Sequence, residues 1–159
     1  MSAARAGAVK RILCPTDFSD SAAVAERHAA GLAGPLGAEI VFVHVATQAP
    51  LWRESLLTAE LLGVFEAQRR WAEDALAKRA EALKAEGVTA RGVVKVGAPW
   101  QEIVRLATDE HADMIVMGTQ GRTGLDRLLL GSVAERVVRN APCPVLTVRP
   151  HPDDEGDPL

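Results

Sequence analysis

Apolar positions along this chain fall into two alternating kinds of segment. Short apolar runs occupy 9–14, 39–45, 89–96, 113–117 and 144–148. The second and fourth are almost unbroken, as in Ile40-Val41-Phe42-Val43 and Met114-Ile115-Val116-Met117. Such runs predict strands covered on both faces. Between them lie stretches with helical spacing. In 19–32 the residues Ala22, Ala25, Ala29 and Leu32 form one stripe, and glycines with Pro35 are expected to end the helix. In 58–86 the apolar set is Leu61, Val64, Phe65, Ala72, Leu76 and Leu83, with Gly87 as the stop. Pro99 suits the first turn of a third helix running to about Asp109. A fourth spans 132–139, ended by Asn140 and Pro142.

Strands alternating with helices predict one doubly wound α/β domain, with a parallel sheet and right-handed crossovers. Residues 46–57, with Pro50 and Trp52, show no period and read either as a loop beside a site or as an irregular helix entry. The domain is expected over 1–150. Residues 151–159, with two prolines and four acids, read as a disordered acidic tail.

Composition narrows the class. With 18 basic against 21 acidic residues the net charge is −3, so no basic excess points to nucleic acid. The densest basic spot, Arg69-Arg70, is offset by Glu66, Glu73 and Asp74. No apolar run approaches the roughly 18–20 residues of a membrane span. The opening residues lack the apolar length of a signal peptide. Two cysteines, Cys14 and Cys143, make no disulfide framework and read as buried, inert thiols. A cytoplasmic protein is the expectation. His28, His44, His111 and His151 lack metal-ligand spacing, and His44, on an apolar strand, reads as a core histidine. Trp71 reads as packing.

The candidate chemistry lies in 117–133, Met-Gly-Thr-Gln-Gly-Arg-Thr-Gly-Leu-Asp-Arg-Leu-Leu-Leu-Gly-Ser-Val. An apolar strand ends at Gly118, Gly121 follows, and Gly131-Ser132 opens a helix. Glycines after a strand let backbone approach a ligand, and amides at a helix start attract anions, phosphate above all. No Gly-Lys-Ser/Thr closes the stretch and its glycine spacing is not that of the dinucleotide fingerprint. It reads either as a phosphate cradle or as a turn followed by a capping box, Ser132 with Glu135. A parallel sheet binds ligands beyond the carboxyl ends of its strands, where strand order reverses. Pro15-Thr16-Asp17 follows the first strand, and if the first and fourth strands are neighbours, both turns line one crevice. Asp17 has three open roles: a ribose hydroxyl, Mg²⁺, or a helix cap shared with Ser19.

These residues resemble the universal stress protein family, specifically its ATP-binding branch. The match rests on Ile12-Leu13-Cys14-Pro15-Thr16-Asp17-Phe18-Ser19, on Val43-His44-Val45, and on Pro142-Cys143-Pro144-Val145. It rests above all on the nucleotide motif, G-x-x-G-x9-G-S/T, which follows Met117. The resemblance covers 8–149. It implies a five-stranded sheet of order 3-2-1-4-5 with helices on both faces, of the adenine-nucleotide-binding, Rossmann-like type. It implies ATP across strands one and four. Pro15, Thr16 and Asp17 would then line the adenosine, and Val45 would offer backbone groups to adenine. Met117, Gly118, Gly121 and Arg122 would meet ribose and phosphates. Gly131, Ser132 and Val133 would hold the phosphate end. Arg127 could also reach phosphate or be a solvated loop charge. The resemblance further implies a homodimer joined through Val145–Val148, an edge that invites pairing.

The expected function is a nucleotide-responsive regulator of stress adaptation. No residue stands out as a general base, so any ATP hydrolysis is expected to be slow. Two alternatives stay open: an adenine-nucleotide hydrolase or transferase, and a dimeric interaction module that binds no nucleotide. The regulatory protein partner is not legible.

Overall fold

The apolar runs become five parallel strands and the periodic stretches four helices among the described residues. They follow the chain as β1 (Arg11–Pro15), α1 (Asp20–Leu36), β2 (Glu39–Ala46), α2 (Ala59–Ala85), β3 (Ala90–Val96), α3 (Pro99–Asp109), β4 (Met114–Gly118), α4 (Ser132–Asn140) and β5 (Val145–Val148). The computed structural model describes residues 7–47, 59–120 and 130–151. Gly121, Arg122, Arg127, residues 48–57 and the expected tail beyond His151 lie outside them. The sheet order is β3-β2-β1-β4-β5 and all four pairings are parallel, as the resemblance implied.

Alternation along each strand sorts the core into two layers. Ile12, Cys14, Ile40, Phe42 and Val116 point to the face covered by α1 and α2, where they meet Ala25, Ala29, Leu76 and Leu83. Leu13, Val41, Val43, Ile115 and Met117 point to the other face, against Ile103, Leu106, Ala134 and Val137 of α3 and α4. Helix α2 presses so closely on β3 that a Cβ added at Gly92 would lie 2.4 Å from that of Leu76.

Three expectations about the helices are corrected. Pro35 does not end α1 but lies in its last turn. The Gly31 carbonyl it leaves without a helical donor is on the exposed side of the helix. Termination falls to Gly37, left-handed at φ 62°, whose N–H donates to Gly34 while that of Ala38 donates to Ala33. In α2, Val64 is half exposed rather than core, whereas Ala72, Leu76 and Leu83 are buried. Val64 precedes Ala72 by eight residues, which turns it about 80° off the buried stripe. In α4 the cap is Gly131, not Ser132.

At the amino ends of the strands, Arg11 and Arg91 both donate to Glu39, at 2.8 and 2.9 Å. Arg91 also donates to Glu110 at 2.6 Å. Asp113 accepts from the amides of Lys10 and Arg11. This network ties β1, β2, β3 and the end of α3 together, away from the carboxyl ends where the candidate turns lie.

Candidate nucleotide crevice

Strand order reverses at β1, which has β2 on one side and β4 on the other. Pairing of β1 with β4 is confined to Ile12 beside Met114 and Leu13 beside Ile115. On the other side β1 stays paired with β2 as far as Pro15 beside Val43, and the Thr16 amide donates to Val43 O at 2.8 Å. Beyond Thr16 the chain turns into α1. The pairing of β2 with β3, however, continues to Ala46. Successive residues of a strand aim their backbone groups to opposite sides. Val43 faces β1, so Val45 does too, at a level where β1 has already turned away. Its N–H and C=O therefore open toward the crevice.

Three interlocking bonds shape the turn after β1. The Thr16 hydroxyl accepts from the Phe18 amide at 3.1 Å, and an Asp17 carboxylate oxygen accepts from the Ser19 amide at 3.0 Å. Ser19 then caps α1 by accepting from the Ala22 amide at 3.2 Å. The cap is thus Ser19 itself, with Asp17 one step upstream. Between them Phe18 takes a left-handed φ of 62°. Pro15 and Thr16 are buried, and Asp17 is half-buried at the rim.

The second turn begins where β4 ends. Met117 is buried in the layer under α3 and α4. Gly118 faces the start of α1, where an added Cβ would lie 2.6 Å from Ser21 Oγ and 2.9 Å from Ser21 O, so only glycine lets the helix come this close. Past the segment outside the described residues the chain returns at Gly131, whose amide donates to Thr119 O at 2.7 Å. That bond sets the first turn of α4 against the end of β4. Gly131 has no side chain to cap the helix, and no side-chain cap bond forms. The capping-box reading fails for the same reason. Ser132 is already helical, the Glu135 amide donates to Gly131 O, and the Glu135 carboxylate pairs with Arg139 at 2.9 Å. Among the described residues no side chain caps the leading amides of α4, the condition in which a helix start takes an anion. Ser132 is exposed and Val133 half-buried.

Sequence reasoning missed several residues beside these turns. Ser21 Oγ and Thr119 Oγ1 are buried, and neither has a hydrogen-bond partner among the described residues. Buried hydroxyls without partners are costly. Glu26 lies in an alanine-rich helix, where the sequence gives no sign of burial. It is 1% exposed and accepts from the Thr16 hydroxyl at 2.5 Å and from Arg79 Nε at 2.7 Å. Among the described residues, no group of three or more His, Cys, Asp and Glu side chains is placed to hold a metal ion.

The remaining candidates find ordinary places. His44 is half-buried, with Nδ1 2.9 Å from Thr16 O and its ring 4.7 Å from that of Phe18. Trp71 is more than half exposed but sets its edge on Phe18 at 4.8 Å. Burial pushes the Cys14 thiol well above its ordinary value, and the Glu26 charge adds to this against Arg79. Cys14 is fully enclosed, as the reading of an inert buried thiol requires. Cys143 is half-buried rather than buried, and partial burial with the Asp113 charge raises its thiol too. No helix among the described residues is long and apolar enough to cross a membrane.

Comparison with known proteins gives a consistent result. The model of the universal stress protein family matches residues 8–149. Universal stress protein MJ0531 of Methanocaldococcus jannaschii is 40% identical over 148 residues, covering 88% of this chain and 82% of its own. The structure of hypothetical protein MJ0577, from the same organism, superposes with a TM-score of 0.80 at 31% identity. That match covers 92% of this chain and all of the other. A universal stress protein solved in complex with cAMP matches with a TM-score of 0.64 at 27% identity, over 90% of this chain and 98% of its own.

Proposed function

We propose, from the premise that this chain belongs to the universal stress protein family, that it binds ATP in the crevice between β1 and β4 and serves as a nucleotide-responsive regulator of stress adaptation. The observation that carries the reading is the 2.7 Å bond from Gly131 N to Thr119 O. It brings an uncapped helix start to the strand end beside the β1 turn. A relative of the same fold holds cAMP, so adenine nucleotides are the natural ligand class.

In this reading Pro15, Thr16 and Asp17 flank the adenosine and the Val45 backbone meets adenine. Met117, Gly118, Gly121 and Arg122 follow the ribose and phosphates. The amides of Ser132 and Val133, with the Ser132 hydroxyl, take the phosphate end; the Gly131 amide, which the resemblance also assigned there, is instead spent on Thr119 O, and Gly131 sets the helix start in place. The chain is slightly acidic, so these local donors supply the attraction. Mg²⁺ would be held by Asp17 together with phosphate oxygens. Among the described residues no general base is positioned beside the turns, and in this reading hydrolysis is at most slow. A cytoplasmic homodimer paired through Val145–Val148 completes the proposal.

The test is calorimetric titration with ATP. Wild type binds, and Gly131→Val, which intrudes a branched side chain at the helix start, lowers affinity at least about 10-fold while circular dichroism and melting stay close to wild type. Equal affinity in the two proteins would refute the assignment.

A further inference from the structure

Beneath the β1 turn lies a charged group that the nucleotide reading does not use. Glu26 sits on α1 with its carboxylate almost wholly enclosed, yet it serves two elements at once. One oxygen accepts from the Thr16 hydroxyl at 2.5 Å, and the other accepts from Arg79 Nε at 2.7 Å. Arg79 comes from α2 and is itself only 17% exposed. The same guanidinium lies 4.9 Å over the Phe18 ring, which also meets His44 and Trp71.

An ion pair buried this deeply is often no better for stability than apolar side chains of similar size. Its geometric effect is another matter. A hydroxyl donates one hydrogen. With Glu26 accepting it, the lone pairs of Thr16 Oγ1 are turned to receive the Phe18 amide. That amide bond closes the turn in which Phe18, a bulky residue, holds a left-handed φ. We infer that Glu26 is the positioning residue of this turn: anchored from α2 by Arg79, it orients the Thr16 hydroxyl that holds Phe18, and with it Asp17, in the ligand-ready arrangement. That the arrangement serves a ligand rests on the nucleotide reading above. The geometry of the turn does not.

Two double variants separate positioning from mere support. Both E26L/R79M and E26Q/R79M remove the ion pair and the guanidinium over Phe18. Only the glutamine keeps an acceptor for Thr16. Amide hydrogen exchange in the ligand-free protein is expected to quicken at Phe18 and Ser19 on the order of 10-fold or more in E26L/R79M. In E26Q/R79M it stays near wild type, while amides of β1 and β2 stay protected in both. Thr16→Val, with the ion pair intact, reproduces the fast exchange and decides the matter should E26L/R79M not fold. Titration with ATP then follows the same order, with E26L/R79M weaker by about 10-fold and E26Q/R79M close to wild type. Unchanged exchange at Phe18 in E26L/R79M, or in Thr16→Val, overturns the positioning role. Equal loss in both double variants overturns it too, because the ion pair would then be the cause. A wild-type protein that does not bind ATP overturns the nucleotide reading instead, and the exchange data still decide the role of Glu26.

Discussion

Glu39 is the residue whose charge the fold uses most openly. Burial alone would raise its carboxyl. Hydrogen bonds from Arg11 and Arg91, with the charges of both, outweigh burial and hold it below the usual carboxylate range. A carboxyl with a lowered native pKa binds fewer protons folded than unfolded. Its contribution is complete above the ordinary glutamate value of about 4.3 and is lost as pH falls through the native value. Urea unfolding should therefore show stability falling between about pH 5.5 and pH 3. Glu39→Gln, weaker at neutral pH, should fall less steeply over that window, and identical slopes would show that Glu39 carries none of it. Neither Glu39 nor Glu26 was legible as a partner from the sequence. Arg91 lies 52 residues from Glu39, and Arg79 lies 53 residues from Glu26. Glutamates in a strand or an alanine-rich helix give no local sign of burial. Pro15, Ser19 and Gly131 were legible as turn residues, because proline, a cap hydroxyl and glycine mark turns by their own backbone chemistry.

Elements were readable to within a residue or two wherever apolar periodicity set them. They were misread where a single residue was asked to stop a helix. Pro35 costs one helical bond and is tolerated in a last turn, so the left-handed Gly37 decided the end. Ser132 and Glu135 had the spacing of a capping box, but Gly131 is held by Thr119 O, so the helix begins one residue earlier than such a box requires. The strand β5 is an edge element with a testable consequence. The Pro144 and Val148 carbonyls accept from β4, so the groups of Val145 and Thr147 face away from the sheet. Leu146, on the sheet surface, is 39% exposed. If dimers form by pairing of these edges, Thr147→Pro removes an outward donor while leaving the β4 ladder intact. Light scattering should then find wild-type dimers and monomers of the variant with similar melting temperature. Dimers in both would place the interface elsewhere.

For the whole molecule, the alternation of strands and helices foretold a doubly wound parallel sheet, and the family resemblance supplied its order. The decisive step is the reversal at β1. It parts β1 from β4 after Leu13 and Ile115, leaves the Val45 backbone facing the gap, and sets both turns on the carboxyl edge of the sheet. The ion network of Arg11, Glu39, Arg91 and Glu110 stitches the opposite edge. One end is thus fastened by charge and the other presents backbone donors, an asymmetry no local pattern reveals. Amide shift mapping of the labelled protein on addition of ATP tests this division most directly. The account predicts that shifts gather at Thr16 to Ser19, Val45, Gly118 and Ser132 to Ala134, and leave Glu39, Arg91 and Glu110 unmoved. Shifts that are absent, or that gather at the stitched edge, would contradict it.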